Sequence, residues 1–289
     1  MYFLYAQKQV KRNIWRKCAL ILFALLCVAA IVIWIHWDEG GVPVLNYHQI
    51  NAHDFNSMTV RPEDFERQMK YLSENGYHAV TPDELADWLE HGTPLPEKPV
   101  VITLDDGYLD NYENAFPILQ KYQMKATIFL VTDYISTYPN YLTWDKVQEM
   151  QDSGLIDFQS HTLSHVELNT LDGAELLHQL KGSREALEWR LKKKIDVLAY
   201  PCGADDQEVL DKTKEAGYRL AFTVHYGLNH PGMDLYALDR VPVFGCVSHP
   251  LRRFQLRLHL ATLCAPLDHF YRRLLADGHT FLAHFVPVP

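Results

Sequence analysis

Residues 100–111 read VVITLDDGYLDN. An apolar, β-favouring run leads straight into two adjacent aspartates and a glycine, the signature of a strand buried on both faces and stopped by a turn. A buried strand that ends in two negative charges needs a source of positive charge. The stretch itself contains no basic residue.

Outward from this point, strand-like and helix-like segments alternate. Upstream, VPVLNY (42–47) reads as a strand, and PEDFERQMKYLSENG (62–76) reads as a helix with Phe65, Met69 and Leu72 on one face. HAVT (78–81) and PDELADWLEHG (82–92) repeat the scheme. Downstream come the helical YENAFPILQKY, the strand KATIFLV, the helical TWDKVQEMQDSG and the strand LIDFQS. A long helix from 172 to 193, IDVLAY, DQEVLDKTKEAG and YRLAFTV follow. Short apolar strands separated by helices predict a parallel sheet covered on both faces. Seven such units in one uninterrupted domain predict an α/β barrel rather than an open sheet.

Barrels of this kind carry their chemistry at the carboxyl ends of the strands. The residues that follow each strand here are His48, Asp105 and Asp106, Ser160 and His161, then Pro201, Cys202 and Gly203. Polar, metal-capable side chains recur at that one position. In SHTLSH, His161 and His165 are four apart, a spacing that on a helical turn sends both imidazoles to one face and suits two ligands on one ion. Two imidazoles and one carboxylate make a three-ligand site with a position left for water. Of two neighbouring aspartates, one can bind the ion and the other take a proton from the water it acidifies, which predicts a hydrolase.

These residues resemble a known family. TLDDG, SHTLSH and AYPCG are similar to the leading motifs of the polysaccharide deacetylases (carbohydrate esterase family four), in order and spacing over residues 42–245. The resemblance implies a distorted (β/α)7-type barrel, with Asp105 as the catalytic base and Asp106, His161 and His165 as ligands of one divalent metal ion. Zinc is the expected ion, although imidazole and carboxylate also accept cobalt, nickel or manganese. The front end, VPVLNYHQI followed by TVRPEDFERQMKYLSENGYHAVT, resembles the branch that deacetylates poly-β-1,6-N-acetylglucosamine. In that branch the general acid histidine precedes the aspartates, which implies His48; His284 in FLAHF is its rival. Peptidoglycan, chitin oligomers and acetylated xylan are the alternative substrates, and a catalytically silent sugar-binding module is the alternative role. Leu104 stands where Phe is usual, Val166 where Pro is common, and Ala199 and Cys202 where Arg and Tyr are frequent. The arginine that would hold the base is therefore not found at its usual place. The backbone N–H of Cys202 can still serve an oxyanion hole, because that role needs no side chain.

The chain has 289 residues, and its amino terminus reads separately. Residues 19–35, ALILFALLCVAAIVIWI, are uncharged and follow Lys8, Lys11, Arg12, Arg16 and Lys17. With Trp15 and Trp37 at its flanks, the segment predicts a transmembrane signal anchor over 19–37, a cytoplasmic basic tail over 1–18 and an exported remainder. Without the tail, 22 Lys and Arg face 36 Asp and Glu, a formal charge of −14. So acidic a surface argues against nucleic acid as a partner and does not forbid a neutral polymer; the resemblance implies an acetylated polysaccharide, with a polysaccharide synthase or export proteins as further expected partners. The five cysteines, Cys18, Cys27, Cys202, Cys246 and Cys264, show neither a disulfide framework nor metal-type spacing. The expected domain ends at 248. Residues 249–289 form a helical segment of unassigned role, with Arg252, Arg253, Arg257, Arg272 and Arg273 among leucines and aromatics.

Overall fold

The computed structural model describes residues 15–17, 20–30, 41–276 and 278–283, and divides into two units, Met1–Gly40 and Gly41–Pro289. In the first unit, 15–17 and 20–30 are helical. No helix among the described residues is long and apolar enough to cross a membrane, and much of the expected anchor, 31–37 included, lies outside them.

The second unit is a parallel barrel. Its ring runs β1 (Val44–Tyr47), β5 (Pro99–Leu104), β6 (Ala126–Leu130), β7 (Ile156–Ser160), β8 (Val197–Ala199), β9 (Leu220–Tyr226) and β10 (Leu238–Pro242), and β10 returns to β1. Every pairing is parallel, and a register shift between β10 and β9 distorts the ring. Seven strands were expected, but their membership differs. The expected strand at 78–81 is only the two-residue β4 (His78–Ala79), an edge partner of β5 outside the ring. The seventh place belongs to β10, whose Asp239 and Arg240 hide it from an apolar-run reading. Two short strands, β2 (Gln49–Ile50) and β3 (Thr59–Val60), form a separate parallel pair.

The helices obey local rules. In α1 (Pro62–Glu74), Phe65, Met69 and Leu72 are fully buried, at the spacing of one helical face. For α2 (Pro82–His91), Thr81 and Glu84 form a reciprocal capping box, and Gly92 ends the helix in the left-handed region at φ 68°. The expected helix at 112–122 opens as a π-helical turn, Asn111–Ala115, before α3 (Phe116–Tyr122). Next come α4 (Trp144–Asp152), α5 (Gly173–Leu191, capped by Asp172) and α6 (Gln207–Glu215). Beyond residue 249, α7 (Pro250–His259), α8 (Ala261–Ala276) and α9 (Thr280–Ala283) continue the same unit. Phe254 of α7 meets Tyr71 of α1 edge-to-face, and α8 lies on β9.

Strand alternation separates two cores. Leu45, Tyr47, Ile102, Leu104, Phe158 and Val241 face the helices, whereas Val44, Val101, Val197, Ala199, Phe222 and Leu238 fill the barrel interior. The edge-to-face pair Phe129–Phe222 packs within that interior. The same period of two sends Asn46, Asp105 and Arg240 inward at the carboxyl ends of their strands.

Candidate active site

Asp105 is the first residue past β5 and is 2% exposed. Arg240 Nη1 donates to its Oδ1 at 2.8 Å, and Asn46 Nδ2 donates to its Oδ2 at 2.9 Å. The Arg240 guanidinium is 1% exposed and is fixed from behind by an Nε donation to the Thr223 carbonyl at 2.7 Å. Burial pushes the Asp105 carboxyl up, but the charge and hydrogen bond of Arg240 lead the effects that outweigh it and hold it below the usual carboxylate range. Asp105 is therefore an anion at neutral pH. The arginine absent from position 199 is thus supplied by β10. Its signal in the sequence was a single basic residue inside a short apolar stretch, LDRVP.

His48 follows β1, with Nε2 3.9 Å from Asp105 Oδ2. Burial lowers its pKa, opposed by Asp105 and Asp106. Its loop is tied to the turn after the aspartates. Asn111, fully buried, donates from Nδ2 to the His48 carbonyl at 2.9 Å, and Asn51 Nδ2 donates to Asp110 Oδ2 at 2.8 Å. Asp110 and Asn111 thus work as ties between loops. His284 lies outside the described residues.

Asp106 leaves the strand in the left-handed region, φ 76°, followed by Gly107 at the same φ. A Cβ on Gly107 would come within 2.7 Å of Leu130 Cδ2, so both the angle and the space require glycine. His161 Nε2 and His165 Nε2 lie 3.3 and 3.2 Å from Asp106 Oδ1. The expected helical turn under the two histidines is absent. Residues 161–167 form a loop in which Thr162 (φ 67°) and His165 (φ 57°) take left-handed backbone, and the rings meet edge-to-face at 4.9 Å. The loop is held from α5, where Gln179 Oε1 accepts from Ser164 N at 3.1 Å. Left-handed non-glycine residues gathered at one mouth are a recurrent mark of functional sites.

The donor chemistry fits a metal ion. His161 Nδ1 lies 2.8 Å from the Ala199 carbonyl, so Nδ1 carries the proton and, in the neutral ring, Nε2 presents a lone pair. That lone pair faces Asp106 Oδ1, a buried oxygen with no hydrogen-bond partner. Acceptors held against acceptors call for a cation between them. Two ligand atoms each about 2 Å from one ion lie roughly 3.3 Å apart at tetrahedral angles, as these do. All three ligand atoms fall within 4.8 Å of one another.

Cys202 sits in a short 3₁₀ turn after β8, at φ 57°, with its side chain exposed. Partial burial, then Glu167 and Asp106, push its thiol up, so it is a thiol rather than a thiolate nucleophile.

Comparison with known proteins agrees with this geometry. Residues 92–221 match the polysaccharide deacetylase family model. Over 211 residues the chain is 36% identical to the candidate polysaccharide deacetylase YxkH of Bacillus subtilis, covering 73% of this chain and 74% of that one. The chain belongs to the polysaccharide deacetylases. It is also 28% identical over 235 residues to the poly-β-1,6-N-acetyl-D-glucosamine N-deacetylase of Staphylococcus epidermidis, covering 72% of this chain and 81% of that one. The solved Streptococcus pyogenes deacetylase PplD superposes with a TM-score of 0.70 at 28% identity, over 75% of this chain and 98% of that one. Membership makes the protein an amide-bond hydrolase of a metal-dependent family, and Asp106, His161 and His165 form a candidate site for the metal.

Proposed function

We propose that this deacetylase removes N-acetyl groups from poly-β-1,6-N-acetylglucosamine outside the membrane, to which residues 19–37 anchor it. The observation that carries the catalytic reading is Asp105: a buried, ionised carboxylate aimed by Arg240 and Asn46, next to a three-ligand cluster. The substrate reading rests on the amino-terminal placement of His48 and on the named activity of the S. epidermidis relative.

Asp106, His161 and His165 would hold one divalent ion, which when bound would polarise the acetamide carbonyl and bring the pKa of water towards about 7. Asp105 accepts the proton as water attacks the carbonyl carbon. The Cys202 backbone N–H donates to the developing oxyanion. His48, with Nε2 3.9 Å from Asp105 Oδ2, passes the proton that Asp105 accepted to the nitrogen as the carbon–nitrogen bond breaks, releasing acetate and a free amine. Arg240 and Asn46 keep Asp105 in place throughout.

The test is acetate release from a β-1,6-linked N-acetylglucosamine oligomer, after chelation and after each divalent metal is restored. Peptidoglycan, chitin oligomers and acetylated xylan serve as comparators. Faster turnover of any comparator would overturn the substrate assignment while leaving the chemistry intact. The anchor is tested by alkaline extraction of cell membranes, where release of the intact chain would refute it.

A further inference from the structure

The exported chain is acidic overall, yet one cavity is lined by the opposite charge. A hollow of about 310 Å³ lies between the end of β10 and α7, with Arg252, Arg253 and Arg257 in its wall and no acidic lining residue. Apolar side chains, among them Val243, Phe244 and Phe254, make up most of the remainder. Arg257 is 8% exposed, and its Nε is buried without a hydrogen-bond partner. Its guanidinium carbon stands 5.2 Å from the Tyr226 ring and 4.6 Å from the Phe244 ring. The rings and the nearby carboxylate of buried Asp268 stabilise the guanidinium's charge, but none of them satisfies the Nε–H. The amino-terminal end of α7 joins the same wall through Ser248, His249 and Pro250, with no side-chain cap and no acidic residue in its first turn. Uncapped first-turn amides add partial positive charge.

We infer that this cavity binds a single-chain amphiphilic anion, an apolar body ending in a carboxylate or phosphate. The apolar walls take the body, and the arginines with the α7 terminus take the head group. A hollow of this size suits one short chain. The occupant is thus a free amphiphile rather than a bilayer lipid.

The experiment titrates the full chain with 6-(7-nitrobenzofurazan-4-ylamino)hexanoic acid, a short chain with a carboxylate end, and follows its fluorescence. One saturable site is expected, emptied by decyl phosphate but not by inorganic phosphate or decyltrimethylammonium. Arg253→Gln removes an exposed charge from the wall and should weaken probe binding about tenfold, the loss of one charge-assisted hydrogen bond. Arg252→Gln with Arg253→Gln should weaken it further, at an unchanged melting temperature. Because both residues are exposed on α7, these variants avoid the folding risk of replacing buried Arg257. Equal displacement by decyltrimethylammonium would overturn the proposal by showing an apolar hollow indifferent to charge. Unchanged affinity in the double variant would overturn it as well. Displacement of the probe by phosphatidylglycerol vesicles would refute the choice of a free amphiphile over a bilayer lipid.

Discussion

The two halves of the active-site mouth are built on opposite principles. On one side, Asp105 is gripped by N–H donors from strands β1 and β10, and its neighbour Arg240 is itself fixed by a strand carbonyl. On the other side, Asp106 and His165 stand on left-handed backbone, and Asp106 Oδ1 has no hydrogen-bond partner. Adjacent aspartates thus receive contrary treatment: one charge is satisfied by protein, the other is reserved for an ion. The contrast explains how two buried negative charges can end one strand.

Removing the ion should have the largest effect, because it strips both the electrophile and the acidified water. Chelation, or Asp106→Ala, should lower kcat/KM for acetate release on the order of 10³-fold or more, several kcal/mol of transition-state stabilisation. The asymmetry appears in stability. Without metal, Asp106→Asn should raise the urea midpoint, since an amide N–H can donate to an imidazole lone pair where Oδ1 has no partner. Asp105→Asn should lower it, with a loss of about 3 kcal/mol of stability, because the Arg240 charge is then buried uncompensated. Shifts of the same sign would break the comparison.

Next in size is the separation of base from acid. Asp105→Asn should reduce kcat by about 10²–10⁴ on amide and ester substrates alike while metal content stays at one ion per chain. His48→Ala should cause a similar loss on the acetamide but little on an aryl acetate, whose leaving group departs without a proton. A parallel loss on both substrates would remove His48 from the acid role.

Much of this site was legible from VVITLDDG because a fully buried parallel strand leaves an apolar run that ends where chemistry begins. The same logic found His48, His161 and Cys202. It failed at β10, where Asp239 and Arg240 interrupt the run, so that Arg240 had no motif to announce it. Only the closure of the ring, which puts β10 beside β1, brings Arg240 to Asp105. The i, i+4 spacing of His161 and His165 was read as helical for want of any sign that Thr162 and His165 adopt positive φ. The three candidate ligands come together although the local conformation was not foreseen, because convergence on one oxygen depends on where the loop is pinned rather than on helical period.

The Arg240–Asp105 pair gives the comparison a pH signature. Asp105 is depressed in the fold, so the pair's stabilisation is present above the unfolded carboxyl value of about 3.9 and is lost as pH falls through the still lower folded value. Arg240→Gln should therefore lower the urea midpoint by a constant amount from pH 8 to about pH 5. Below that the gap to the parent chain should narrow, as pH falls through the variant's own carboxyl value, which burial without Arg240 holds above about 3.9. A gap that closed near pH 6.5 instead would assign the effect to histidine.

The smallest effect is expected at Cys202, where side chain and backbone separate cleanly. Its φ of 57° costs a non-glycine residue about 1 kcal/mol, and its exposed thiol does no chemistry in the proposed reaction. Cys202→Gly keeps the N–H and relieves the strain, although it also frees the unfolded chain, so stability should change by less than about 1 kcal/mol. Turnover should stay within about twofold, since the oxyanion contact belongs to the amide. Cys202→Pro removes that N–H and cannot adopt the positive φ, so it should lose both turnover and stability. A glycine variant as inactive as the proline variant would show that the thiol, not the amide, serves the reaction.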